Sequence, residues 1–97
     1  MIYQRILKIV NLEHLPEIEL LLREYKKMLL ETEYFLKIDL NYSQSDKRLL
    51  SIELHIDSIG TWNQFVLYEF KKINNWFRFN LLEKGWVQVI QLEKLSN

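Results

Sequence analysis

Two segments of alternating polarity constrain the fold of this chain more than any other feature. Residues 34–42 and 50–56 carry apolar side chains at every second position, and a polar, turn-rich loop, SQSDKR, separates them. A period of two is typical of half-buried β-strands. Pairing Ile38 with Ile52 keeps the apolar faces together, whereas a slip of one residue would set apolar against polar side chains. The two segments are therefore predicted to form an antiparallel hairpin in that register.

An amphipathic helix is predicted before this hairpin, at about residues 16 to 31. Pro16, the single proline, is well placed in the first helical turn because its missing N–H would have no partner there. At 100° per residue the apolar side chains fall on about a third of the helix circumference. These side chains are Ile18, Leu21, Leu22, Tyr25, Met28 and Leu29. The stripe predicts a helix that packs on the sheet.

The stretch KKINNWFRFNLLEKGWVQVI, residues 71–90, contains signals of two tight hairpins. Asn74-Asn75 fits a type I′ turn, because Asn tolerates the positive φ that both positions need. Glu83-Lys84-Gly85 fits a three-residue hairpin loop with Gly85 in the left-handed conformation. These turns predict strands three to five of a β-meander.

The predicted fold is a single α+β domain over residues 1–97, in which one long amphipathic helix packs on a five-stranded antiparallel β-meander. Residues 2–10 fit both a helical stripe and a β-branched strand. We favour an N-terminal helix over a sixth strand.

Large apolar side chains lie on both faces of the three predicted C-terminal strands, so something must cover the second face. That face, interspersed with basic side chains, is the predicted interface: Phe65, Leu67, Trp76, Arg78, Leu82, Trp86 and Ile90. Trp and Arg dominate interface energies, and homo-oligomers most often have two-fold symmetry. The sequence therefore predicts a homodimer, or a monomer that binds another protein, which acts as an adaptor, inhibitor or accessory factor. Coverage by the N-terminal segment is a further possibility.

Single-stranded nucleic acid is the alternative partner. Bases could stack on Trp76 and Trp86 while Arg78 and Lys71 hold the phosphates. Against this, 13 basic and 13 acidic side chains give a net charge of zero, and no RNP-type sequence is present. Nucleic-acid binding is therefore possible but not favoured.

Candidate catalytic residues are sparse. Glu53, His55 and Asp57 alternate on one predicted strand, with Asp39 on the same face of its neighbour, and such groups can bind a metal or transfer protons. A solvated polar face, which half-exposed antiparallel sheets commonly have, explains them as well. His14 is expected at the surface. No nucleophile elbow or phosphate loop is present, so the chain is predicted not to be an enzyme and to need no cofactor or metal.

The absence of cysteine fits a cytoplasmic protein. No apolar run approaches the roughly 18 residues of a membrane span, and MIYQRILKIV is too short and charged for a signal peptide. Membrane association is therefore not expected. The residue composition favours an AT-rich genome, such as that of a low-GC bacterium, a phage or an archaeal virus.

Overall fold

The computed structural model describes the backbone of residues 1–95 and the side chains of residues 1–90. A 3-10 turn, Leu12–His14, leads into the first helix. The strands and helices follow in the order β1 (Ile2–Ile9), α1 (Leu15–Glu31), β2 (Lys37–Tyr42), β3 (Leu49–His55), α2 (residues 59–82) and β4 (Val87–Leu95).

The strands form a four-stranded sheet in the order β2-β3-β1-β4, with each neighbouring pair antiparallel. Each half of the chain therefore runs strand, helix, strand, and the strands of the two halves interleave. This is the ferredoxin-like β-α-β-β-α-β arrangement. The buried side chains of α1 and α2 join one core with the inward side chains of the sheet, so one sheet face is covered by helices. We call the opposite side the open face.

The predicted α+β class is confirmed, but the five-stranded meander is wrong. Residues 59–82, which include two of its strands, form helix α2. The helix alternates between α-helical and π-helical stretches: Ile59–Phe65, Val66–Phe70, Lys71–Phe77 and Arg78–Leu82. Only Val87–Leu95 remains a strand in this region.

The spacing of the buried side chains explains why this segment is helical. Phe65, Ile73, Phe77 and Leu81 are buried, at intervals of four or eight residues. An α-helix has 3.6 residues per turn and would carry such a series gradually away from the core. The π stretches, with i→i+5 hydrogen bonds, have wider turns. Alternating the two brings the mean close to about four residues per turn, so the series stays on the core.

The two predicted hairpin turns have other roles. Asn74 and Asn75 lie inside α2. Gly85 does adopt a positive φ, 72°, but it ends the helix. The Gly85 N–H donates to the Leu82 carbonyl at 3.0 Å and the Trp86 N–H to the Leu81 carbonyl at 3.2 Å. This is the Schellman pattern of a helix C-terminus, in which glycine takes the left-handed position without strain.

The N-terminal segment is a strand, so the helix that we favoured there is wrong. Strand β1 lies in the middle of the sheet and pairs with both β3 and β4. Tyr3, Leu7 and Ile9 are buried against the helices, and the residues between them alternate in orientation. The local pattern suits both a helix and a strand. The strand forms because its two neighbours, β3 and β4, supply backbone hydrogen bonds.

The predicted hairpin is present, but its register differs by two residues. Ile38 pairs with Leu54, not with Ile52. A slip of two leaves each side chain on its own face, so the apolar pattern cannot distinguish these registers. Hydrogen bonds in the loop fix the register of the hairpin. The Arg48 N–H donates to Asp46 Oδ1 at 2.9 Å, and the Ser43 N–H donates to the Leu49 carbonyl at 2.9 Å.

Helix α1 matches its prediction closely. Ile18, Leu22, Tyr25 and Leu29 are buried, and Leu21 and Met28 pack partly against the same core. In the part of the chain that the structure describes, no helix is long and apolar enough to cross a membrane.

Candidate functional site

A small cavity lies between the sheet and the two helices. Its volume is about 20 Å³, which is room for about one water-sized group. The lining residues come from β1, β3 and both helices: Arg5, Tyr25, Leu29, Ile52, Leu54, Trp62, Phe65, Phe70, Ile73 and Asn74. We call this space the sheet–helix cavity.

Three polar side chains reach this cavity: Arg5 from β1, Tyr25 from α1 and Asn74 from α2. The Arg5 guanidinium lies over the Phe77 ring, 5.2 Å from its centroid. Burial raises the pKa of the Tyr25 phenol, and the positive charge of Arg5 opposes that rise. The phenol therefore stays protonated at neutral pH and keeps a hydroxyl that can donate a hydrogen bond.

Aromatic rings form one wall of the cavity. Trp62 stacks on Tyr3 with ring centroids 3.7 Å apart, and its own ring lies 5.5 Å from Phe65. Phe65 meets Phe70 edge to face at 6.1 Å. Phe70 belongs to the first π-helical stretch of α2. Such stretches often occur at functional sites, which makes this wall a candidate ligand surface.

The residues predicted as an interface do not share one sheet face. Phe65 is buried in the core, whereas Leu67 is 73% exposed on the outside of α2. Trp76 stacks on Tyr25 at a centroid distance of 6.4 Å, and Leu82 packs partly against the core. The prediction of an aromatic sheet face is therefore wrong, because most of these residues belong to helix α2.

The remaining predicted interface residues are also dispersed. Arg78 forms an ion pair with Glu83, with Nε and Oε1 3.6 Å apart. Trp86 stacks on His14 at 4.8 Å. Ile90, on β4, is 53% exposed. Whether any of these side chains contacts a partner remains a prediction.

The nucleic-acid alternative loses its proposed platform in this structure. It required Trp76 and Trp86 on one open sheet face beside Arg78 and Lys71. The two tryptophans instead stack on Tyr25 and on His14. Binding of single strands by another surface remains a prediction.

The polar residues of the predicted hairpin are only partly brought together. Asp39, Glu53 and His55 lie on the open face, and His55 Nε2 is 3.2 Å from Asp39 Oδ2 without good hydrogen-bond geometry. Asp57 lies beyond the end of β3, where a hydrogen bond from Thr61 is the main cause that lowers its pKa. Among the described residues, no group of three or more His, Cys, Asp or Glu side chains could hold a metal.

The polar members of the cavity were not predicted from the sequence. Arg5 sits at an inward position of β1, between the buried Tyr3 and Leu7. A charged residue at a position that the alternation predicts to be apolar was the available signal. Tyr25 was assigned to the core stripe of α1, and Asn74 to a turn. They meet because α1 and α2 both pack on the sheet face towards which Arg5 points.

Comparison with known proteins identifies the fold alone. No family model matches the chain, and no curated protein matches it. Among solved structures, the chain is similar to a crystal structure of an antibiotic biosynthesis monooxygenase. The TM-score is 0.61 and the identity 14%, and the match covers 100% of both chains.

This likeness corrects the prediction that the chain is not an enzyme. That prediction came from the absence of familiar catalytic motifs. A protein described as a monooxygenase has the same architecture over its whole length. Missing motifs therefore give no ground for excluding catalysis in a chain of this fold.

Proposed function

We propose that the chain binds a small organic molecule with a largely apolar body in the sheet–helix cavity and acts on it as a monooxygenase. The cavity is the observation that supports this most directly. Its walls are apolar and aromatic, and three polar side chains converge on it. Enclosed apolar pockets with a few polar groups are the usual places for small-molecule sites. The reaction class is taken from the monooxygenase of the same fold.

Several residues that line the cavity are suited to a monooxygenase reaction. A monooxygenase transfers one atom of dioxygen to its substrate and releases the other as water. The aromatic wall of Trp62, Phe65 and Phe70 would exclude bulk water from the reacting molecule. The Tyr25 hydroxyl and the Asn74 amide would orient an oxygen-bearing substituent through hydrogen bonds.

The cavity must widen to admit such a substrate. At about 20 Å³ it holds one water-sized group. Half of its lining residues belong to α2, so a displacement of this helix from the sheet would enlarge it. Lid and helix movements of this kind accompany substrate binding in many enzymes.

Oxygen transfer to electron-rich phenols tests the proposal. Oxidation of 1-naphthol to naphthoquinone by dioxygen, with release of water, is balanced without a separate reductant. We expect the wild-type protein to place one labelled oxygen atom from ¹⁸O₂ in the product, as measured by mass spectrometry together with oxygen uptake. Leu54→Phe, which fills the cavity, should abolish this incorporation.

Leu7→Phe is the matched control, because Leu7 is equally a core residue of the sheet but does not line the cavity. Both substitutions add the same side-chain volume to the core. Failure of the wild type to place labelled oxygen in the naphthoquinone, or equal labelling by Leu54→Phe, would overturn the proposal.

We also infer that a second copy of the chain covers the open face. The helices cover the other side, and Ile2, Ile6 and Leu49 are only partly buried on this open face. Polar pairs lie on the same face, such as Asn41 with Glu53 at 2.9 Å. Apolar side chains among polar ones suit an isologous contact. A cytoplasmic location belongs to the same proposal.

A further inference from the structure

Arg5 occupies an unusual position for a charged side chain. It points from the central strand towards the helices and pairs in register with the buried Ile52 of β3. It is partly buried and lines the sheet–helix cavity. Buried charges are normally paired with an opposite charge, because desolvation of a lone ion is costly.

No carboxylate of the described side chains satisfies Arg5. The ion pairs within residues 1–90 join Lys37 to Asp39, His55 to Asp39 and Arg78 to Glu83. The guanidinium instead lies over the Phe77 ring, at 5.2 Å. An aromatic face compensates the charge of a cation only partly. Among the described side chains, the Arg5 guanidinium therefore has no carboxylate partner for its N–H donors.

The surroundings of Arg5 indicate what that partner is. Tyr25 and Asn74, whose side chains carry a hydroxyl and an amide that can donate hydrogen bonds, line the same cavity. A planar guanidinium with neighbouring donors matches the geometry of a carboxylate. The rest of the lining is apolar and aromatic.

We propose that the ligand of the sheet–helix cavity is an organic anion, with an apolar aromatic body and one ionised oxygen group that Arg5 binds. This inference rests on the proposed function only in taking the cavity as the ligand site. Arg5 then determines specificity: it selects ionised ligands over neutral ligands of the same shape. It holds the anionic group at the β1 side, while Trp62 and Phe70 contact the body.

Benzoate and benzamide form a matched pair of probes, since they differ mainly in charge. We expect NMR titration of ¹⁵N-labelled protein to show benzoate binding at least roughly tenfold more tightly than benzamide, as a hydrogen-bonded charge implies. The shifted amide signals should belong to residues around Tyr25, Trp62 and Asn74. Arg5→Met, which keeps the apolar length of the side chain, should abolish the preference for benzoate over benzamide. Arg5→Lys should retain part of it.

Arg48→Met is the control for loss of one positive charge, because Arg48 is exposed in the loop between β2 and β3. It should bind both probes as the wild type does, and circular dichroism would confirm that each variant is folded. Equal affinities of the wild type for the two probes, no saturable benzoate binding, or a preference that survives Arg5→Met would overturn the inference. The NMR titration measures binding and requires no chemical conversion of the probe. Phenol oxidation without a benzoate preference would refute this inference alone, and a benzoate preference without oxygen transfer would refute the monooxygenase alone.

Discussion

Tyr42 connects the edge strand β2 to helix α1. Its hydroxyl donates a hydrogen bond to Glu19 Oε1 at 3.1 Å. Burial, together with this hydrogen bond and the negative charge of Glu19, raises the pKa of Tyr42 to about 12. A tyrosine in an unfolded chain ionises near pH 10. The folded protein therefore holds this proton more tightly than the unfolded chain does.

Alkaline pH should consequently weaken the fold through Tyr42. Below about pH 10 its contribution is fully present, and it is lost as the pH rises towards about 12, because the unfolded chain releases its proton first. We expect the stability difference between wild type and Tyr42→Phe to shrink between pH 9 and pH 11.5 by on the order of 1 kcal/mol, after allowance for solvent screening. Urea denaturation of both proteins at the two pH values measures this. A constant difference would contradict the prediction.

Helix α2 has a mean period of about four residues per turn, between that of an α-helix and that of a π-helix. An element with such a period is easily misassigned from its sequence. Its buried residues recur every four or eight positions, while large apolar side chains also occur between them. If every second side chain is assigned to the same face, this segment fits a strand with apolar side chains on both faces. The caps were present in the sequence: Ser58 Oγ accepts from the Thr61 N–H at 3.2 Å, and Gly85 closes the other end.

Phe77 and Phe79 distinguish the two structures. In a strand they would share a face, but in α2 Phe77 is fully buried and Phe79 is 66% exposed. Phe77→Ala should lower the free energy of unfolding by about 3 to 5 kcal/mol. Phe79→Ala should change it by no more than about 0.5 kcal/mol. Chemical denaturation of the two variants tests this, and similar losses would argue for the strand.

At the scale of the whole molecule, the sheet has helices on one side and an open face on the other. The proposed dimer should form through that open face. We expect sedimentation analysis at micromolar concentrations to show a dimer, and Ile6→Glu to convert it to a monomer by placing a charge at the contact. Leu67→Glu is the control, since Leu67 is exposed on α2, away from the sheet.

Each result of that experiment has a definite meaning. A wild type that is monomeric at all concentrations would refute the dimer. Dissociation by Leu67→Glu, with Ile6→Glu still dimeric, would place the interface on α2, among the residues that the sequence first indicated.

The sequence by itself determined the structural features that depend on residues close together along the chain. The stripe of α1, the alternation of β2 and β3 and the left-handed Gly85 all follow from side chains within a few positions of one another. Their physical basis is local: helical and pleated backbones present fixed side-chain periods, and glycine alone adopts positive φ without strain.

Only the tertiary structure decided what depends on distant partners. Residues 2–9 became a strand because β3 and β4 pair with them on both sides. The two-residue register of the hairpin depended on its loop, since both registers preserve the faces. The cavity is the clearest case: Arg5, Tyr25 and Asn74 are far apart along the chain and come together where α1 and α2 cross the sheet. No local pattern specifies such a meeting, because it depends on which strands become neighbours.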